Sequence, residues 1–297
     1  MKDYLKQILG ERKSALPARG MVREYLQARI LQALQENGAF LRWTFHGGSA
    51  LRFLYSIPRY SEDLDFALSG PDRPPLFPET LDKVKRTFEG EGYAVQLKVN
   101  DRKTVVSAFV RFPGLLYELG LSPHRNEVVS VKVEVDTNPP AGAVTDTSLV
   151  RRYVTLNLLH HNRATLLAGK IHAVLARSYT KGRDLYDLVW YLADPDWPPP
   201  NLEFLKAGLN QTGWPGEQPT ERSWPGLVAA RLENVRWDRA VEDVRPFLER
   251  QSELSLLTKE NCLRLLLDRE RGTEGWSGPT PEAPGRAPNR PGRRDSS

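Results

Sequence analysis

The sequence predicts a mixed α/β (α+β) fold with a sheet-bearing N-terminal part and a helical part behind it. Three observations carry this. Strand-like and helix-like runs alternate up to about residue 137, which argues for helices packed on a sheet. Beyond Asn138-Pro139-Pro140 the periodicity turns helical. From residue 271 to 297, five prolines, five glycines and five arginines leave almost nothing to bury, and that segment reads as disordered. The expected boundaries are residues 1–140, 141–270 and 271–297, with a Trp/Pro-rich connection at 194–226.

The elements follow in order. Val22, Tyr25, Leu26, Ile30, Leu31 and Leu34 recur at helical spacing over residues 21–36, and Asn37-Gly38 supplies the stop. Residues 40–45 are aromatic and read as a short buried strand. Gly47-Gly48-Ser49 turns the chain into a helix over residues 50–55, which Pro58 ends. Residues 64–68 read as a second strand, and the four prolines of residues 70–78 as loop. A helix over 81–89 precedes three β-branched strand candidates at 93–99, 104–112 and 128–135. Residues 165–177 and 184–192 are helical by periodicity, and 227–267 holds two or three further helices. The connection at 194–226 reads as irregular, packed by its three tryptophans.

Composition excludes several classes. A formal charge of +5 over 297 residues permits an anionic partner without demanding one. The single Cys262 excludes an intramolecular disulfide and any cysteine-rich metal cluster, and it lies in an apolar run that reads as core. No run approaches 18 apolar residues, and the first 20 lack the apolar core of a secretory signal. A soluble, cytoplasmic monomer without a membrane segment is the expectation.

The chemistry concentrates in FHGGSALR (45–52) and RYSEDLDF (59–66). On a strand, Asp63 and Asp65 project from one face while Leu64 and Phe66 take the other. Paired carboxylates are costly unless a cation sits between them, and Mg²⁺ suits both oxygen ligands and phosphate, with Mn²⁺ as its alternative. Gly47-Gly48 lets the backbone approach a ligand, and Ser49 begins a helix whose free N–H groups suit phosphate. A third carboxylate comes from Glu134, flanked by valines on a later strand. Asp136 is placed on the opposite face, as an exposed or turn residue. His160, His161 and His172 lack the partners of a zinc site and read as structural. Tyr186, Trp190 and Tyr191 read as core. Arg151-Arg152 and the arginines of the tail read as solvated.

The order of glycine turn, acidic-x-acidic strand and third acidic strand resembles the nucleotidyltransferase superfamily related to DNA polymerase β. More narrowly, GGSALRFLYSIPRYSEDLDF is similar to the AbiEii/AbiGii family of type IV toxin–antitoxin systems, which includes the MenT toxins. The resemblance implies a polymerase β-like core with a C-terminal helical domain. It also implies Mg²⁺-dependent transfer of a nucleotide from an NTP, in MenT members to the 3′ end of tRNA. A cognate antitoxin, which need not bind directly, is the implied partner. The family carries a lysine on one helix and Arg-Asp-x-x-Asp on the next, here Lys170 with Arg183, Asp184 and Asp187. The implied metal ligands are Asp63, Asp65 and Glu134, with Lys170 and Asp184 completing the catalytic set. Gly48, Ser49, Arg59, Lys170, Arg177 and Asp187 would bind nucleotide, Lys170 and Arg177 sharing a helix face seven residues apart. Two rivals stand beside this reading: transfer to a protein or small molecule, and a non-enzymatic NTP-binding module.

Overall fold

The computed structural model describes residues 2–10, 15–70 and 76–275. Helices α1 (Lys2–Leu9) and α2 (Ala15–Glu36) lead into strand β1 (Trp43–His46). Helix α3 (Gly47–Tyr55), strand β2 (Asp63–Leu68) and helix α4 (Phe77–Gly90) follow. Strands β3 (Gln96–Asn100) and β4 (Val105–Pro113), the short helix α5 (Leu115–Glu118) and strand β5 (Val128–Asp136) come next. Strands β6 (Thr145–Arg152) and β7 (Val154–His161) complete a seven-stranded sheet in the order β3-β4-β5-β2-β1-β7-β6. The helical half comprises α6 (Arg163–Ala176), α7 (Gly182–Ala193), α8 (Leu202–Gln211), α9 (Trp224–Leu232), α10 (Trp237–Val244) and α11 (Lys259–Gly275).

Most elements lie where periodicity places them. In α2 the six apolar residues that predict the helix are all buried, and Gly38, at φ 72°, ends it with its N–H on the Gln35 carbonyl. Helix α2 packs on β5 and β7, and α4 on β3 and β4. Leu64, Phe66, Val133 and Val135 bury the helix-covered face of the sheet's centre. The opposite face of β2 and β5 is left to the carboxylates. Trp197, Trp224, Tyr186, Tyr191 and Cys262 are core, as their apolar settings suggest.

Four expectations need correction. Residues 145–161 form the β6–β7 hairpin rather than helix, so the sheet does not stop at Pro140. Its alternation is faint because β6 is an edge strand with one face in solvent, where Leu149 stays exposed. Residues 39–41 form a single 3₁₀ turn, and the strand begins only at Trp43. Helix α4 starts at Phe77, inside the expected loop, because Pro78 is tolerated in the first helical turn. The connection at 194–226 contains α8, capped by the Asn201 side chain on the Phe204 N–H. Of the expected loop at 70–78, residues 71–75 lie outside the described residues, as do 276–297 of the expected disordered tail. Residues 271–275 continue α11.

The helical half is fastened to the sheet through α6 and α7. Gly182 opens α7 with its N–H on Asp243 Oδ2 at 2.8 Å, and a Cβ there would lie 1.8 Å from the Ala240 carbonyl oxygen of α10. Gly182→Ala therefore forces two helix backbones apart and is expected to lower stability by about 2 kcal/mol or more, read as a reduced midpoint in urea unfolding.

Candidate active site

The site begins with register. Strand β2 pairs parallel with β5, which sets Asp65 opposite Glu134 and Asp63 opposite Lys132. Strand β1 pairs antiparallel with β2 and sets His46 opposite Asp65. The side-chain period of two then puts Asp63, Asp65, Lys132, Glu134 and Asp136 on one face. Asp136 thus shares the face of Glu134, from which it is two residues removed, and lines the same cavity. The sequence reading that put it on the opposite face is corrected.

That face forms one wall of a cavity of about 590 Å³ between the sheet and helices α6, α7 and α8. Asp63 and Asp65 meet it with their carboxyls pushed up to about 6, by burial first and then by the neighbouring carboxylates. Lys132 offsets part of this charge, its Nζ lying 2.7 Å from Glu134 Oε1.

The glycine doublet is required by these side chains themselves. Gly47 has φ 76°, and a Cβ on it would lie 2.6 Å from Asp65 Oδ2. A Cβ on Gly48 would lie 2.5 Å from Arg59 Nη2. The turn therefore sits directly on the aspartate and the arginine. The Ser49 hydroxyl is fully buried and donates to the Asp63 carbonyl, tying α3 to β2. Only the backbone of Ser49 remains to meet a phosphate.

The facing wall is cationic. Lys170 Nζ lies 2.7 Å from Asp184 Oδ1 and 2.8 Å from Asp187 Oδ2. Asp187 also accepts from Arg59 Nε at 2.5 Å and Nη2 at 2.6 Å, and Arg177 pairs with the second oxygen of Asp184. Three cations thus share two carboxylates, which leaves the wall net positive. Burial would lower the pKa of Lys170, but Asp184 and Asp187 outweigh it and keep the ammonium charged. Burial would raise the Asp184 carboxyl, but Lys170 and Arg177 hold it below the usual range.

The sequence-predicted residues therefore divide. Asp63, Asp65, Glu134, Lys170, Arg177, Asp184, Gly48 and Arg59 all line the cavity. Asp187 is fully buried behind Lys170, with both oxygens occupied, and orients its partners rather than touching a ligand. Arg177 lies just past the end of α6, yet it converges with Lys170 on Asp184.

Sequence reasoning missed His46, Lys132, Lys181 and Phe204, and took His161 and His172 as structural only. Lys132 stands two residues before Glu134, so strand alternation alone could have found it. His46 and His161 stack at 5.1 Å and 14°, with Phe204 edge-on to His161. His161 is pushed down to about 3, by burial first and then by His46 and His160, and is neutral at pH 7. Burial likewise lowers His172, whose Nε2 lies 3.1 Å from the Gly208 carbonyl.

The donor set bears on a metal. Among the described residues no three His, Cys, Asp or Glu side chains form an all-protein metal cage. Mg²⁺ does not ask for one, since it binds through one or two carboxylates and completes its shell with water and substrate phosphate. Two aspartates whose charge is raised in energy by burial and by each other fit that requirement.

The fold thus sets a carboxylate-bearing strand pair against a lysine held by a helical Asp-x-x-Asp. Residues 29–258 match the family described as nucleotidyl transferase AbiEii toxin, type IV toxin–antitoxin system, and the chain belongs to that family. Among solved structures it is similar to MenT4, a nucleotidyltransferase toxin of Mycobacterium tuberculosis H37Rv, at 16% identity and a TM-score of 0.53. That match covers 91% of this chain and 92% of MenT4. A candidate nucleotidyltransferase of Helicobacter pylori matches at 16% identity and a TM-score of 0.51, covering 86% of this chain and 96% of that one. At such identity the likeness is one of fold. No curated protein is significantly similar in sequence. Membership of a type IV toxin–antitoxin family gives the chain an antitoxin as its functional counterpart. Among the described residues no helix is long and apolar enough to cross a membrane.

Two outcomes follow from the charge arrangement. Asp187→Ala strands the buried Arg59 charge, leaves Lys170 with Asp184 alone, and is expected to lower stability by about 3–5 kcal/mol, measured by denaturant unfolding. Asp65→Asn acts the other way in metal-free buffer. An acid whose folded pKa lies near 6 and unfolded pKa near 3.8 binds more protons when folded, so its contribution to stability falls as pH rises through that window. The variant is expected to gain roughly 1–2 kcal/mol over wild type at pH 7.5. That gain should vanish by about pH 4; a difference independent of pH would contradict the charge assignment.

Proposed function

We propose that the protein transfers a nucleoside monophosphate from an NTP to RNA, with the 3′ acceptor end of tRNA as the preferred acceptor, in an Mg²⁺-dependent reaction that blocks translation. The observation that carries this reading is the juxtaposition across one cavity of Asp63 and Asp65 with the ammonium of Lys170. An acceptor hydroxyl gives up its proton to water as its oxygen attacks the α-phosphorus, a P–O bond forms, and the bond to the departing pyrophosphate breaks. Asp63 and Asp65 would hold Mg²⁺, with Glu134 adding negative charge beside them while it pairs with Lys132, and the metal would lower the cost of charge on the reacting phosphate and on the leaving pyrophosphate.

The chain's own residues do the rest. Lys170 is fixed by Asp184 and Asp187, so its charge meets the phosphates without reorganisation. The Gly48 and Ser49 backbone at the start of α3 offers N–H groups to the triphosphate. Arg59 holds Asp187 and thereby the position of Lys170.

RNA is favoured over a protein or small-molecule acceptor by the cations along the cavity lining. Arg177, Lys181 and Arg183 line it, the two arginines also pairing with Asp184 and Glu62, and the exposed Tyr179 stands between Arg177 and Lys181 in sequence. Cations that follow a phosphate backbone make binding salt-sensitive. The antitoxin would act on the same toxicity without a requirement for direct contact.

Purified protein incubated with Mg²⁺, each α-labelled NTP and total tRNA is expected to label tRNA. Asp65→Ala and Lys170→Ala are each expected to reduce the rate by about a hundredfold or more, with folding of Lys170→Ala checked by circular dichroism. Label appearing in protein or small products instead would transfer the assignment to that acceptor class. A folded Asp65→Ala that keeps wild-type turnover would sink the scheme.

A further inference from the structure

The cavity has a second half that the transfer chemistry does not use. The part lined by Pro139, Pro140, α8 and the α6 residues other than Lys170 carries no formal charge. One side is made by Pro139 and Pro140, which follow β5, and the other by the face of α6 that also bears Lys170. Leu166, Gly169, Lys170 and Ala173 are spaced three and four apart, so they share that face. Phe204 of α8 lines the same part, edge-on to His161 and nearest to Gly169. The α8 backbone braces both sides, since a Cβ on Gly208 would lie 3.2 Å from His172 and 3.4 Å from Pro140. His161 and His172 are both held toward their neutral form. The recess therefore offers proline rings, aliphatic surface and an aromatic edge beside the neutral polar Thr165, Gln211 and Thr212, and no cation of its own.

Gly169 is the informative position. Glycine in a helix interior is disfavoured relative to alanine, and packing usually explains one that is present. Here packing does not: a Cβ on Gly169 would meet nothing nearer than Phe204 Cε1 at 3.9 Å, an ordinary contact. The missing side chain leaves cavity open one helical position from Lys170.

We propose that this recess, lined by Pro139-Pro140, by Gly169 and Ala173 of α6 and by Phe204 of α8, binds the nucleobase of the donor NTP. The proposal rests on the nucleotidyl-transfer reading and deepens it. Lys170 fixes where the triphosphate lies, and the neighbouring positions on the same helix face leave room for a planar, uncharged heterocycle. Pro139, Pro140 and Gly169 are then specificity determinants, because the width they leave decides which base fits.

The test separates base from phosphate. Binding of each NTP and of inorganic tripolyphosphate, in the presence of Mg²⁺, is measured by calorimetry for wild type and Gly169→Val. Filling the recess is expected to weaken the best-bound NTP by about tenfold or more. Tripolyphosphate affinity should stay within about twofold of wild type. Ala173→Val, one turn along the same face, is a second variant expected to give the same split if Gly169→Val does not fold. An NTP affinity that survives both substitutions would overturn the base assignment alone. So would a loss confined to transfer onto RNA, which would give the recess to an acceptor base. Equal loss of NTP and tripolyphosphate would also overturn it, as a general distortion. A wild-type protein that binds neither ligand would instead remove the nucleotidyl-transfer reading itself.

Discussion

Two carboxylates on one face of one strand set the constraint around which this molecule is arranged. Asp63 and Asp65 project from the sheet where Leu64 and Phe66 bury the other side. The parallel register adds Glu134 directly opposite Asp65. Like charges held opposite each other oppose folding, and burial raises the cost. The surroundings offset it only in part, through Lys132 on the strand and Lys170 across the cavity. What remains is unbalanced negative charge on the sheet, set across the cavity from a net-positive wall, and the fold carries its cost.

The cationic wall shows how such a site is kept in place. Asp184 and Asp187 are three apart at the start of α7 and converge on Lys170 from the neighbouring helix. Asp187 extends the contact to Arg59, which stands four residues before Asp63. One buried bidentate pair thereby couples the helical half to the loop that leads into the carboxylate strand. The glycine doublet completes the coupling, since Gly47 sits on Asp65 and Gly48 on Arg59. A side chain at either position would displace the residues that define the chemistry, whether or not a ligand is bound.

Much of the site was legible because its signals are local. Asp-x-Asp on a strand, Gly-Gly before a helix and Asp-x-x-Asp at a helix start each specify a relative direction through backbone period alone. Legibility failed where direction depended on a partner. The β6–β7 hairpin is an edge with weak alternation, so its membership of the sheet shows only in its pairing with β1. Asp187 carries the same chemical group as Asp184, yet one faces the cavity and the other is sealed behind it. Their difference arises from the rotation of α7 against Arg59. Ser49 follows the same rule: its hydroxyl is turned to the Asp63 carbonyl by the angle at which α3 leaves the sheet.

The amino-acid sequence by itself determined the fold class, the carboxylate pair, the lysine helix and the turn between strand and helix. These follow from periods of 2 and 3.6 residues and from the conformational range of glycine, which are properties of short stretches of chain. Tertiary structure alone decided which carboxylates face the cavity and which brace it from behind, and that α8 lines the part of the cavity away from the carboxylates. Those outcomes depend on strand register and on the angles between packed helices. Both are fixed by the fit of side chains far apart in sequence, which no local pattern encodes.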